Sequence, residues 1–298
     1  MGGSFSLNLE NSTYEHVIDS NNFFKSITKE QMTSRIKKPN NVKYIKILSL
    51  EDLKGINEKC LEKNNELISK FRKKNECSFQ KERSFHLDIV GYYKSYHLYE
   101  KSYGIYINIS KFLKLYLDIL DKCFFTHEKV KEFAMTMVLE HCRFHYLTEI
   151  LSSMYEIETG TGAYSRVYSF YKKNYATSKC IEEILANYFI NITTNLTDAE
   201  IKYLHNFIGN QIEGYKEALY INKNNEIEKF KMLEQLIGYK EMKYSKILSQ
   251  IMYLPLASYS IHDKLNIPIY IVDDTNDIDE FRRIKEMLFP NIDHRLLQ

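Results

Sequence analysis

Two histidines four residues apart, His141 and His145, lie in the stretch Val138-Leu139-Glu140-His141-Cys142-Arg143-Phe144-His145-Tyr146. On a helix a four-residue step turns about 400° and rises about 6 Å, so both imidazoles leave one face and can reach a single metal ion. Glu182 and Glu183 follow in Ile181-Glu182-Glu183-Ile184-Leu185-Ala186-Asn187, two carboxylates inside an otherwise apolar run. Carboxylates in such a setting are costly unless paired, hydrogen-bonded or bound to metal. Two His from one helix and one Glu from the next would supply three protein ligands and leave a fourth position for water, the layout of a catalytic zinc site. Glu182 and Glu183 both remain open as the third ligand.

The elements that must carry these residues are helices. Residues 128–154 contain no Gly or Pro, and Phe133, Met137, Phe144, Leu147 and Leu151 recur at helical steps. Gly160 and Gly162 interrupt the pattern, an aromatic-rich segment follows to residue 175, and a second apolar helix is predicted over 179–192. Thr197 with Glu200 forms a capping box for a helix reaching residue 220. Upstream, 42–48, 85–93 and 104–109 read as strands, Ser49 with Asp52 resembles a capping box opening a charged helix to residue 74, and Ser110 reads as the cap of a helix over 112–120. A charged helix over 226–252, a strand over 267–272 and a helix over 278–288 complete the chain. The expectation is an α+β, mainly α protein, with residues 1–40 as an irregular lead-in and 41–298 as one domain.

The motif residues resemble the gluzincin branch of the zinc metallopeptidases, whose helix carries HExxH and whose next helix carries the third ligand in an ExxA or ExxS stretch. The matching residues are His141-Cys142-Arg143-Phe144-His145 and Glu183-Ile184-Leu185-Ala186-Asn187, with Gly104-Ile105-Tyr106 standing where that group has a strand before the motif helix. The likeness covers residues 91–190, roughly a third of the chain. It implies a zincin-like fold with a small sheet over the two helices, and zinc held by His141, His145 and Glu183. It also implies Asn187 as a partner orienting a ligand His, and hydrolysis of a peptide or amide by metal-activated water.

The departure falls at Cys142, where the family has the glutamate that serves as general base. A thiol on one methylene is shorter than a propionate and has an ordinary pKa of about 8.5, so it cannot take over that task in the same way. Losing such assistance typically costs ~10²–10⁴ in rate. Glu140 points to nearly the opposite side of the helix, and Glu149, on the His face, sits about 12 Å further along the axis, as an outer partner rather than a ligand beside both His. A pseudoenzyme that keeps metal, an enzyme with a relocated base and a chain in which this one residue has been exchanged all remain open. His127-Glu128 begins like HExxH, but Lys131 stands at the second His position. His205, His262 and several tyrosines are candidates for stabilising an oxyanion.

Composition narrows the alternatives. With 41 Lys+Arg against 39 Asp+Glu the net charge is +2, too small to recruit nucleic acid by bulk charge. Ten Gly and four Pro supply too few turns for a many-stranded β fold. Five cysteines at irregular spacings, with no CxxC pair, argue for reduced thiols in a cytoplasmic protein. No stretch reads as a membrane span, and the partner expected is a peptide or protein, with the oligomeric state open. The main rival is a metal-free helical protein–protein interaction module, in which the same His and Glu form a buried polar network. A carboxylate-bundle metal protein would need Glu-x-x-His pairs on two helices.

Overall fold

The computed structural model describes residues 44–47, 50–76, 85–100, 102–221, 267–273 and 277–292. The expected lead-in over 1–40 and the charged helix over 226–252 lie outside them, as do Ser49, Cys77 and His262. In chain order the elements are β1 (Tyr44–Ile47), a 3-10 turn (Leu50–Leu53), α1 (Glu58–Lys63), α2 (Asn65–Glu76), α3 (Leu87–Val90), β2 (Gly91–Lys94), α4 (Tyr96–Tyr99) and β3 (Gly104–Asn108). Then follow α5 (Ile109–Lys122), α6 (His127–Thr159), α7 (Ala163–Asn174), α8 (Ile181–Thr193), α9 (Asp198–Gly209), a second 3-10 turn (Lys216–Tyr220), β4 (Ile269–Val272) and α10 (Ile278–Leu288). The protein is α+β and mainly helical, as the sequence patterning predicts.

Four strands form one sheet in the order β1-β4-β3-β2, with β3 and β4 parallel and the two outer pairs antiparallel. Ile105 pairs with Ile269 and Ile107 with Ile271, so the side-chain alternation puts four buried isoleucines on the face toward the helices. The other face carries Tyr92, Tyr106 and Tyr270, stacked ring on ring at 5.4 and 4.7 Å.

Helix α6, 33 residues and about 50 Å long, is the spine. Thr126 caps it by accepting from the Lys129 amide, and Gly160 ends it in the left-handed region at φ 66°. Helices α5, α7 and α8 pack on it, and α3, β2 and β3 cross it. At the β2 crossing a side chain on Gly91 would come within 2.4 Å of Val138 Cγ1, so only glycine allows that approach.

Several local expectations change. Residues 85–93 do not form one strand: Leu87–Val90 make a helical turn and pairing begins at Gly91. Asn108, not Ser110, caps α5, because its side chain accepts from the Lys111 amide, while the Ser110 hydroxyl donates to Asp273 at the end of β4. The charged stretch to residue 74 divides at Asn64 into two helices, and the aromatic-rich stretch is itself helix α7. Helix α9 stops at Gly209 instead of reaching residue 220, leaving an irregular segment over 210–215. Among the described residues no helix is long and apolar enough to cross a membrane, and Cys60, Cys123, Cys142 and Cys180 are free thiols.

Candidate metal centre

Helix α6 projects His141 and His145 toward α8, and the two rings stand 4.9 Å apart between centroids. Their Nε2 atoms are 3.3 Å from each other. Glu183 Oε2 lies 3.3 Å from the first and 3.6 Å from the second. Asp88, on the turn α3, brings Oδ1 to 2.8 and 3.7 Å from the same two nitrogens. One donor atom from each of Asp88, His141, His145 and Glu183 falls within 4.8 Å of all the others.

The tautomers follow from what holds the far side of each ring. His141 Nδ1 is 3.1 Å from Asn187 Oδ1. The amide's orientation is fixed, because Asn187 Nδ2 donates to Gln211 Oε1 at 2.8 Å and to the Tyr215 backbone carbonyl at 3.3 Å. His145 Nδ1 is 2.8 Å from Glu182 Oε1. Both Nδ1 atoms therefore carry a proton and donate, and the two Nε2 atoms turn to one common point, where His141 Nε2 is hydrogen-bonded to Asp88 Oδ1 and a metal would take the place of the protons held there. Two carboxylate oxygens face that point as well.

The surroundings reinforce this convergence. His141 and Glu183 have side chains 0% exposed, and the Glu183 carboxylate faces the two imidazoles and the Tyr171 hydroxyl without a well-aligned hydrogen bond to either oxygen. A buried carboxylate costs several kcal/mol unless a cation or hydrogen bonds offset it. Burial disfavours an imidazolium at His141 and His145, yet Asp88 and Glu183 outweigh it and raise both pKa values. Burial pushes the Asp88 carboxyl up, but the charge and hydrogen bonds of His141 and His145 bring it well below its usual range. Glu182, one residue from the group, is raised by burial. The field that would hold a proton on each ring is one that suits a metal cation, and two imidazoles with two carboxylates are ordinary ligands for zinc.

Of the residues singled out from the sequence, His141, His145 and Glu183 come together, while Glu182 and Asn187 stand behind the two rings. Glu182 Oε1 thus lies at His145 Nδ1, on the far side of the ring from the converging atoms, whereas Glu183 is one of them. Glu149 is not brought to the group. It accepts from the Tyr93 hydroxyl at 2.6 Å and from the backbone amides of Tyr96 and His97, and it pairs with the His97 ring. Cys142 is fully buried in the hydrophobic core, in reach of Gly91 and beside Val138, and burial raises its thiol pKa. Glu140 pairs with Arg143, His127 bonds Tyr116, and His205 pairs with Asn191, so none of them reaches the centre.

Asp88 and Tyr215 escaped the sequence reading. Asp88 carries the same signal as Glu183, a carboxylate among Leu87, Ile89 and Val90, which the strand reading of that run obscured. Tyr215, whose hydroxyl donates to Asp88 Oδ2, is one of 24 tyrosines and carries no mark of its own. Comparison of the chain with family models, with curated proteins and with solved structures finds no match.

Proposed function

We propose that the chain is a zinc-binding protein on the gluzincin metallopeptidase plan, holding the metal through His141, His145 and Glu183, which keeps the centre but not efficient turnover. The observation that carries this reading is the convergence of the His141 and His145 Nε2 atoms and the Glu183 carboxylate on one buried point, with Asn187 and Glu182 fixing the rings from behind. Zinc in that position would supply Lewis-acid polarisation of a carbonyl and activation of a water. The residue that completes such chemistry in the family, the general base, is the one that differs. Cys142 stands at the place of the base, and its thiol is packed in the core with its pKa raised, unable to take a proton from water near neutrality. The reading is accordingly a pseudoenzyme that binds a peptide or protein, in the cytoplasm where its thiols stay reduced, without nucleic acid or membrane.

Thermal unfolding of the metal-loaded protein, before and after a strong chelator, tests this. A ligand at a hundred times its Kd stabilises by about 2.7 kcal/mol, so the melting temperature should fall by several degrees and recover when zinc is restored. Peptide libraries should remain uncleaved. Melting indifferent to chelator and zinc would instead favour the metal-free interaction module, and rapid cleavage would refute the loss of turnover.

A further inference from the structure

Asp88 differs from the other three converging residues in how it is held. It is carried by the single turn Leu87–Val90, whereas His141, His145 and Glu183 stand on long helices. Its side chain keeps 16% of its exposure, against 11% for His145 and 0% for the other two. Its oxygens are divided between tasks: Oδ1 faces both Nε2 atoms, and Oδ2 accepts from the Tyr215 hydroxyl.

The separations say which place Oδ1 takes. Ligands at 2.0–2.1 Å in a tetrahedron are about 3.3 Å from one another. The separations that involve the two Nε2 atoms run from 2.8 Å (Asp88 to His141) through 3.3 and 3.6 Å to 3.7 Å (Asp88 to His145), and all four donor atoms lie within 4.8 Å of one another. Oδ1 thus belongs to the same shell, at the position that a water occupies in an open zinc site. Resting on the zinc reading above, we infer that Asp88 is the fourth ligand and closes the centre, so that an outside ligand reaches the metal only by displacing it.

Tyr215 is the positioning residue for this closure. Its hydroxyl holds Asp88, and its carbonyl accepts from Asn187 Nδ2, which turns the amide oxygen toward His141. One residue of the 210–215 segment thus restrains two of the four ligands. Gly214 delivers it from φ +90°, where a Cβ would come within 2.6 Å of the Thr177 carbonyl oxygen, so the turn requires glycine.

Cobalt(II) substituted for zinc reports coordination through its visible absorption, and azide serves as the outside ligand. The parent protein and Asp88→Ala are each loaded with cobalt and titrated with azide, with metal content measured in parallel. A spectrum unmoved by azide in the parent and a saturable shift in Asp88→Ala are expected. Equal azide binding by both overturns the inference, because the position would already be open. No azide binding by either metal-loaded protein also overturns it, because another group would be closing the centre. Failure of the parent to take up cobalt or zinc sinks the zinc reading itself. Should Asp88→Ala not fold, Tyr215→Phe supplies the second arm: it should admit azide and weaken metal binding about 10–100-fold, and parent-like behaviour in both respects overturns the inference.

Discussion

Raising the pH above 9 should cost this protein a specific clamp between α4 and α6. His97, on α4, lies between two buried carboxylates of α6, with Nδ1 bonded to Glu149 and Nε2 3.3 Å from Glu156, and its ring stacks on Tyr164 at 4.6 Å. Burial disfavours the imidazolium, but hydrogen bonds and charge from Glu149 and Glu156 outweigh it and raise the pKa from 6.5 to about 9. A folded pKa above the unfolded one gives stability that is fully present below pH 6.5 and is lost as pH rises through about 9. At 1.36 kcal/mol per pH unit the span corresponds to about 3 kcal/mol, and with the side chain only 14% exposed little is lost to solvent screening. Urea unfolding of the parent and of His97→Gln, at pH 6, 8 and 10, reads this out. Subtracting the variant is essential because Lys131, which burial depresses to a pKa of about 7, favours folding as pH rises over part of the same range. The gap in unfolding free energy between parent and variant should be widest at pH 6 and shrink by about 3 kcal/mol by pH 10. A gap that stays constant within about 1 kcal/mol across that range would refute the clamp.

Three further outcomes follow from the same structure. Restoring the family's base with Cys142→Glu should not produce peptide cleavage detectable by mass spectrometry; it buries a carboxylate in the core beside Gly91 and Val138 and should cost about 3 kcal/mol or more in urea unfolding. Gly91→Ala places a methyl 2.4 Å from Val138 Cγ1 and should destabilise by about 1–3 kcal/mol. Glu182→Gln, which weakens the acceptor behind His145 Nδ1, should leave the metal stoichiometry unchanged while lowering zinc affinity about 10–100-fold in a chelator competition.

Much of the candidate centre was legible because its residues violate their surroundings. Paired histidines at helical spacing and carboxylates inside an apolar run are expensive unless they serve something, and the helix period alone puts His141 and His145 on one face. The family resemblance pointed to Glu183, whereas residue types alone left Glu182 and Glu183 open, because which of two adjacent carboxylates faces the His Nε2 atoms depends on how α8 packs on α6. Asp88 was hidden by local ambiguity: Leu87-Asp88-Ile89-Val90 alternates well enough for a strand, and only packing against α6 makes it a turn. Ser110 and Asn108 are both good caps, and the partner that decides between them, Asp273, lies 163 residues away from Ser110. Glu149 looked like an outer member of the metal group because it shares the helix face, but its partners come from α4 and β2.

The most direct measurement is the metal content of the purified protein by elemental mass spectrometry, alongside His141→Ala and Glu183→Gln. About one zinc per chain in the parent, lost in both variants, is the predicted result. Absence of stoichiometric metal from the parent, or its full retention in the variants, would contradict the central claim.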